Sequence, residues 1–174
     1  MGQTVFPQVE KGMTLLGTIS PAGLAAAEFT SINQGYRDLV LVIRNSMTVD
    51  GNPSGKVLPN GSSTISSGVI THSAGAGPYG DDSFNDTSIP LNKGGAGGDI
   101  NAGLRTSIVT FYDYANTTTY KVSHIVGTQE IYNNWGGFTV SATTKTTAAI
   151  TSLSILGSTS SNFTAGTILL YGVK

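Results

Sequence analysis

The chain has no cysteine. That excludes a disulfide scaffold and any thiolate metal site, and leaves the redox compartment open. Charge is also scarce: Lys, Arg, Asp and Glu make up 11% of the residues, against about 25% in an ordinary soluble domain. The net charge is −1, so nothing electrostatic favours nucleic acid or an anionic membrane. No apolar run approaches the length of a membrane-spanning helix. The first residues lack the basic-then-apolar pattern of a secretory signal, so synthesis in a cytoplasm is expected.

What is present is Ser, Thr, Asn and 23 glycines. Such a neutral, hydrogen-bonding composition suits strands and turns better than solvent-facing helices, which usually carry Lys and Glu. A length of 174 residues suits one domain. Residues 1–12 read as an N-terminal arm. Pro7 breaks it, and Val5, Phe6 and Val9 are apolar without a partner in sequence. Residues 13–174 read as a single β-sandwich domain.

Along that domain the apolar stretches come in strand-sized pieces. Residues 13–19 (MTLLGTI) form the first, followed by the turn 20–23. Residues 24–29 (LAAAEF) open a short helix or form a strand. In residues 36–44 (YRDLVLVIR), Leu39, Leu41 and Ile43 share one face, and Val40 and Val42 share the other. Apolar residues on both faces predict a central strand packed on both sides, or one face meeting another subunit. Residues 45–101 are rich in Gly, Ser, Asn and Pro, and predict two or three short strands joined by long loops.

Residues 104–114 and 119–127 alternate well and predict a hairpin. In the second piece Tyr120, Val122, His124 and Val126 alternate with Lys121, Ser123 and Ile125. A shorter strand covers 135–142. Residues 147–173 read as a second hairpin with a polar loop at 157–162. The sum is about eight strands with no convincing helix. It predicts an all-β antiparallel sandwich, with the jelly roll as its eight-stranded form.

Candidates for chemistry are thin. No motif supplies His72 or His124 with a nucleophile, so packing or surface roles are expected. Asp81, Asp82, Asp86 and Asp99 fall in the glycine-rich middle without the spacing of a calcium loop, and Asp is a common turn former. The run 93–98 (KGGAGG) lacks the Gly-Lys-Ser/Thr closure of a phosphate loop. Asn60, Asn85, Asn116 and Asn162 each begin a glycosylation-type triplet, as expected by chance in this composition. Tyr79, Tyr112, Tyr114, Tyr120, Tyr132 and Trp135 are either a carbohydrate-stacking set or core and cross-strand packing. The expectation is no catalytic residue, no metal and no cofactor.

The closing segments AAITSLSI (148–155), NFTAGT (162–167) and LLYGVK (169–174) resemble the ending of a family of small tailed-bacteriophage virion proteins, whose members look like AAITSI…NFAAGS…LYGIK. The same family tends to carry a Y.DL.L..R strand near its start, matched by residues 36–44. The resemblance implies a jelly-roll-like sandwich of the kind found in capsid decoration and tail-fibre proteins, and it implies no catalytic residues. The chain has no coiled-coil, collagen-like or β-helical shaft, which favours a decoration (cement) protein over a fibre. The expected partners are the major capsid protein and further copies of the chain, a trimer before a dimer. The expected location is the head surface of a virion made in the cytoplasm of a bacterial host. The arm with Val5, Phe6 and Val9 is the expected capsid and subunit contact. The alternative is a tail-fibre or other surface-exposed module that binds a receptor or glycan.

Overall fold

The computed structural model describes residues 12–48, 55–61, 64–73, 77–91, 105–131, 134–157 and 162–174. Among them there is no helix. Twelve strands run in order: β1 (Met13–Ile19), β2 (Ala26–Phe29), β3 (Asp38–Thr48), β4 (Lys56–Pro59), β5 (Ile65–Ser73), β6 (Gly77–Asp86), β7 (Ile89–Pro90), β8 (Arg105–Tyr112), β9 (Lys121–Ile131), β10 (Asn134–Thr144), β11 (Leu153–Leu156) and β12 (Phe163–Val173). The all-β antiparallel sandwich is therefore present.

The strands form two sheets. The large sheet has the order β1-β12-β3-β8-β9-β10-β5-β6, and the small sheet β2-β11-β4-β7. Eight of the strands make two matched four-stranded halves, β1-β12-β3-β8 and β2-β11-β4-β7. Successive strands cross between the halves except at β4 and β7, which pair directly. That is the double Greek-key order of a jelly roll. The other four strands are two insertions, the β5–β6 hairpin and the β9–β10 hairpin. They pair with each other through β5 and β10 and lengthen the large sheet.

The core lies between the sheets. Leu39, Leu41, Ile43, Val109, Phe111, Ile168 and Leu170 come from the large sheet, and Ala27, Val57, Ile89, Leu153 and Ile155 from the small one. All are buried. Each large side chain here stabilises the fold by about 1.5–3 kcal/mol relative to exposure. Burial continues along the extension through Ile125, Phe138, Val140 and Ala142.

The structure corrects three expectations and decides a fourth. Residues 147–173 are not a hairpin: β11 sits between β2 and β4, while β12 sits between β1 and β3. Each strand therefore lies between two partners in its own sheet instead of pairing with the other. Of the two alternatives for residues 24–29 the strand is present, as Ala26–Phe29, with Ala27 facing the core and Phe29 packed against it. The middle region holds four strands, of which β5 and β6 are long. Their Gly- and Ser-rich sequences gain the ladder from pairing with each other and with β10, not from their own apolar content. The count of about eight strands falls short of the twelve among the described residues, although it already includes β9 and β10.

A candidate subunit-contact face

The site is built on the outward surface of the large sheet. Side chains alternate across a strand. On β3, Leu39, Leu41 and Ile43 point into the core, so Val40 and Val42 point out. On β8 the same logic turns Val109 and Phe111 inward and Ile108, Thr110 and Tyr112 outward. On β12 it leaves Leu169, Tyr171 and Val173 outside.

Strand β9 departs from the usual apolar-in, polar-out order. Lys121, Ser123 and Ile125 face inward and are buried, while Val122, His124 and Val126 face outward. Val122 is 49% exposed and Val126 50%. The buried Lys121 Nζ donates to the carbonyls of Thr119 (2.8 Å) and Thr147 (3.2 Å), and burial lowers its pKa. A strand that buries a lysine and a serine while exposing two valines is not arranged for a solvated outer surface.

The register aligns these residues in rows. One row runs Leu15, Tyr171, Val40, Thr110, His124, Ser141 across β1, β12, β3, β8, β9 and β10. The next runs Thr18, Leu169, Val42, Ile108, Val126, Thr139. At the side of the first row away from the second lie Met13 opposite Val173 and Tyr112 opposite Val122. Ile108 is 48% exposed and Tyr112 45%.

The middle of this face carries no formal charge. Asp38 and Arg44 stand toward opposite ends of β3. Asp38 is already engaged: one carboxylate oxygen accepts from Arg37 at 2.8 Å and the other from the Asp113 backbone N–H at 3.0 Å. That pairing raises the pKa of Arg37, first through the hydrogen bond and then through the charge.

The other candidates separate clearly. His124 lies on this face, half-buried, between Thr110 and Ser141. Tyr112 and Tyr120 are exposed at its border, whereas Tyr114 is a core residue whose hydroxyl donates to the Asn33 carbonyl, so it is not free to stack on a sugar. Burial raises the Tyr114 pKa. Asp81, Asp82 and Asp86 belong to β6, not to a loop, and His72 belongs to β5, with its backbone paired to Pro78 and Gly137. Among the described residues no cluster of His, Asp or Glu is placed to hold a metal. Val5, Phe6, Val9, Asp99 and Tyr132 lie outside the described residues.

Three of the glycosylation-type asparagines use their side chains internally. Asn60 binds residues 149–152, Asn116 shapes the β8–β9 turn, and Asn162 donates to the Gly23 carbonyl. Sequence reading missed the outward face as a unit. Its signal was present in the valines at 40 and 42 and in the alternation of 120–126, but no single strand tells which side is covered.

Of the segments singled out by the resemblance, 36–44 and 162–174 meet in space, while 148–155 runs into β11 of the small sheet. β3 and β12 are hydrogen-bonded neighbours, with Leu39 opposite Gly172 and Val40 opposite Tyr171. Tyr36 packs on Gly172, and Gly166, at φ +122°, lies against the backbone of Arg44 and Ser46. Comparison with protein-family models, curated proteins and solved structures gives no match to this chain.

Proposed function

We propose that the chain is a structural protein of a bacteriophage virion, a capsid decoration (cement) protein that binds and stabilises the assembled head shell. Its partners in this reading are the major capsid protein and further copies of itself, and it performs no catalysis. The observation that carries the reading is the reversed polarity of β9, which puts Val122 and Val126 outside and Lys121 inside. An outward sheet face of this kind is made to be covered by protein, since monomeric domains rarely leave large contiguous apolar patches in water.

Two further features support it. The low charge keeps neighbouring copies on a lattice from repelling one another. Repeated weak contacts on such a lattice add up through multivalency. Of the segments that resemble small phage virion proteins, 36–44, 162–167 and 169–174 meet in the β3–β12 pair with Tyr36 on Gly172, while 148–155 runs into β11 of the small sheet.

The test is to mix the purified chain with undecorated heads and image the particles. Density at regular positions on the shell supports decoration. Exposed Tyr112 and Tyr120 favour the second reading, a tail-associated or surface module that binds receptor glycans. Density confined to the tail, or binding to host polysaccharide without binding to shells, transfers the weight to that reading.

A further inference from the structure

We infer that the outward face of the large sheet joins two copies of this chain face to face about a two-fold axis. The inference deepens the structural reading above, and rests on it for the setting of many copies on one particle. The pair itself is a property of the isolated chain.

The first argument is charge. The central rows hold Val40, Val42, Ile108, Val126, Leu169 and Tyr171 beside the polar Thr110 and His124, with no Lys, Arg, Asp or Glu among them. The surface that complements an uncharged apolar face without desolvating a charge is another uncharged apolar face. This chain presents one in every copy.

The second argument is area. Six strands spaced about 4.8 Å apart span about 24 Å, and three rows of outward residues about 6.8 Å apart cover about 20 Å along the strands; the third row carries Asp38, its charge already paired with Arg37. Each copy then contributes about 500 Å², and a pair about 1,000 Å², the lower bound for a specific interface. Such a contact holds at high local concentration and opens on dilution, which fits many copies held side by side.

The third argument is symmetry. A two-fold contact uses one patch twice, whereas a closed three-fold ring needs two different patches on each subunit. Of the exposed large hydrophobic side chains among the described residues, Met13, Leu15, Ile108, Tyr112, Val122 and Val126 belong to this face. Tyr120 borders it in the β8–β9 turn, and only Leu24 stands elsewhere. The second patch that a ring requires is not seen there. The geometry therefore favours a pair over the trimer expected from sequence. Two sheets packed face to face would cross at about −30°.

Sedimentation equilibrium of the full chain from about 1 µM to about 1 mM tests this. The wild type should shift from monomer to dimer with concentration. Ile108→Glu and Val126→Glu should each weaken association about tenfold or more, because a two-fold axis places both copies' carboxylates in one apolar contact. Leu24→Glu should associate like the wild type. Ile108→Thr, which keeps the β-branched shape, guards against a folding defect and should weaken the pair to a smaller extent.

A wild type that stays monomeric throughout overturns the inference, as does a dimer indifferent to both glutamate variants, or a trimer. If the monomeric wild type still decorates heads and Ile108→Glu does not, the capsid covers the face and only self-association is lost. If the dimer forms but binds no head, self-association stands and the decoration reading falls.

Discussion

The ring of Tyr36 covers Gly172 so closely that a Cβ built on the glycine would lie 2.6 and 2.7 Å from the two Cδ carbons of the ring. Tyr36 stands just before β3, and Gly172 is near the end of β12, 136 positions later in the chain. The contact ties the entry of β3 to the end of its ladder partner β12.

Gly172→Ala should therefore destabilise the protein by about 1–3 kcal/mol, the usual cost of overpacking a filled site. Tyr36→Ala should also destabilise it, by removing a ring that packs against the core. The double variant should be less destabilised than the sum of the two, since the alanine at 172 then meets no ring. Urea unfolding of the four proteins checks this. Strict additivity would show that the ring and the glycine do not constrain one another.

Asn60 closes β4 at φ +51°, a region asparagine tolerates better than most residues. Its Oδ1 accepts from the backbone N–H groups of Thr151 (2.8 Å) and Ser152 (3.0 Å), and its Nδ2 donates to the Ala149 carbonyl (2.7 Å). These bonds hold the segment entering β11. Asn60→Ala should cost about 1–3 kcal/mol, through the lost bonds and the strained φ. Asn60→Asp keeps the acceptor and loses the donor, so it should fall between alanine and the wild type. Thermal melts of the three proteins give the order, and an aspartate variant no better than alanine would contradict it.

Much of this architecture is legible in the sequence. The strand at 13–19 matches β1 at both ends, and the hairpin at 104–127 appears as β8 and β9, because alternation and turn residues are local signals. The pairing of β12 is not legible. Its neighbours β1 and β3 lie far away in sequence, while the nearby β11 looks like its partner and belongs to the other sheet. The long β5–β6 hairpin is hidden for another reason. Sequences such as ISSGVITHS and GPYGDDSFND lack a strong apolar period and are held by ladder bonds on either side of β5. The orientation of β9 is the subtlest case, since its alternation is plain and only the packing shows that the lysine side faces in.

Two buried groups act on alkaline stability in opposite directions. Burial raises the Tyr114 pKa, so the unfolded chain loses that proton first, and stability from Tyr114 falls as pH climbs above about 10. Burial lowers the Lys121 pKa, so the unfolded chain holds that proton more tightly, and stability from Lys121 rises as pH climbs toward about 10.4. Tyr114→Phe removes the first effect and leaves the second. Urea midpoints measured from about pH 8 to about pH 11 should therefore fall less steeply in Tyr114→Phe than in the wild type. Parallel profiles would exclude Tyr114 as the alkaline trigger.

The apolar outward face also predicts a dye signature. At micromolar concentration, where the proposed pair is open, the folded chain should bind a hydrophobic fluorophore such as ANS. Val126→Glu should reduce that fluorescence by half or more (an estimate of about twofold) without shifting the thermal midpoint by more than a few degrees, since Val126 is half exposed. Unchanged fluorescence would place the dye site elsewhere.

The most direct test of the central claim is imaging of undecorated phage heads incubated with the wild-type chain, with Ile108→Glu in parallel. Wild-type density should repeat on the shell lattice, with a marked loss of occupancy for the variant. Bare shells at saturating wild-type protein would contradict it.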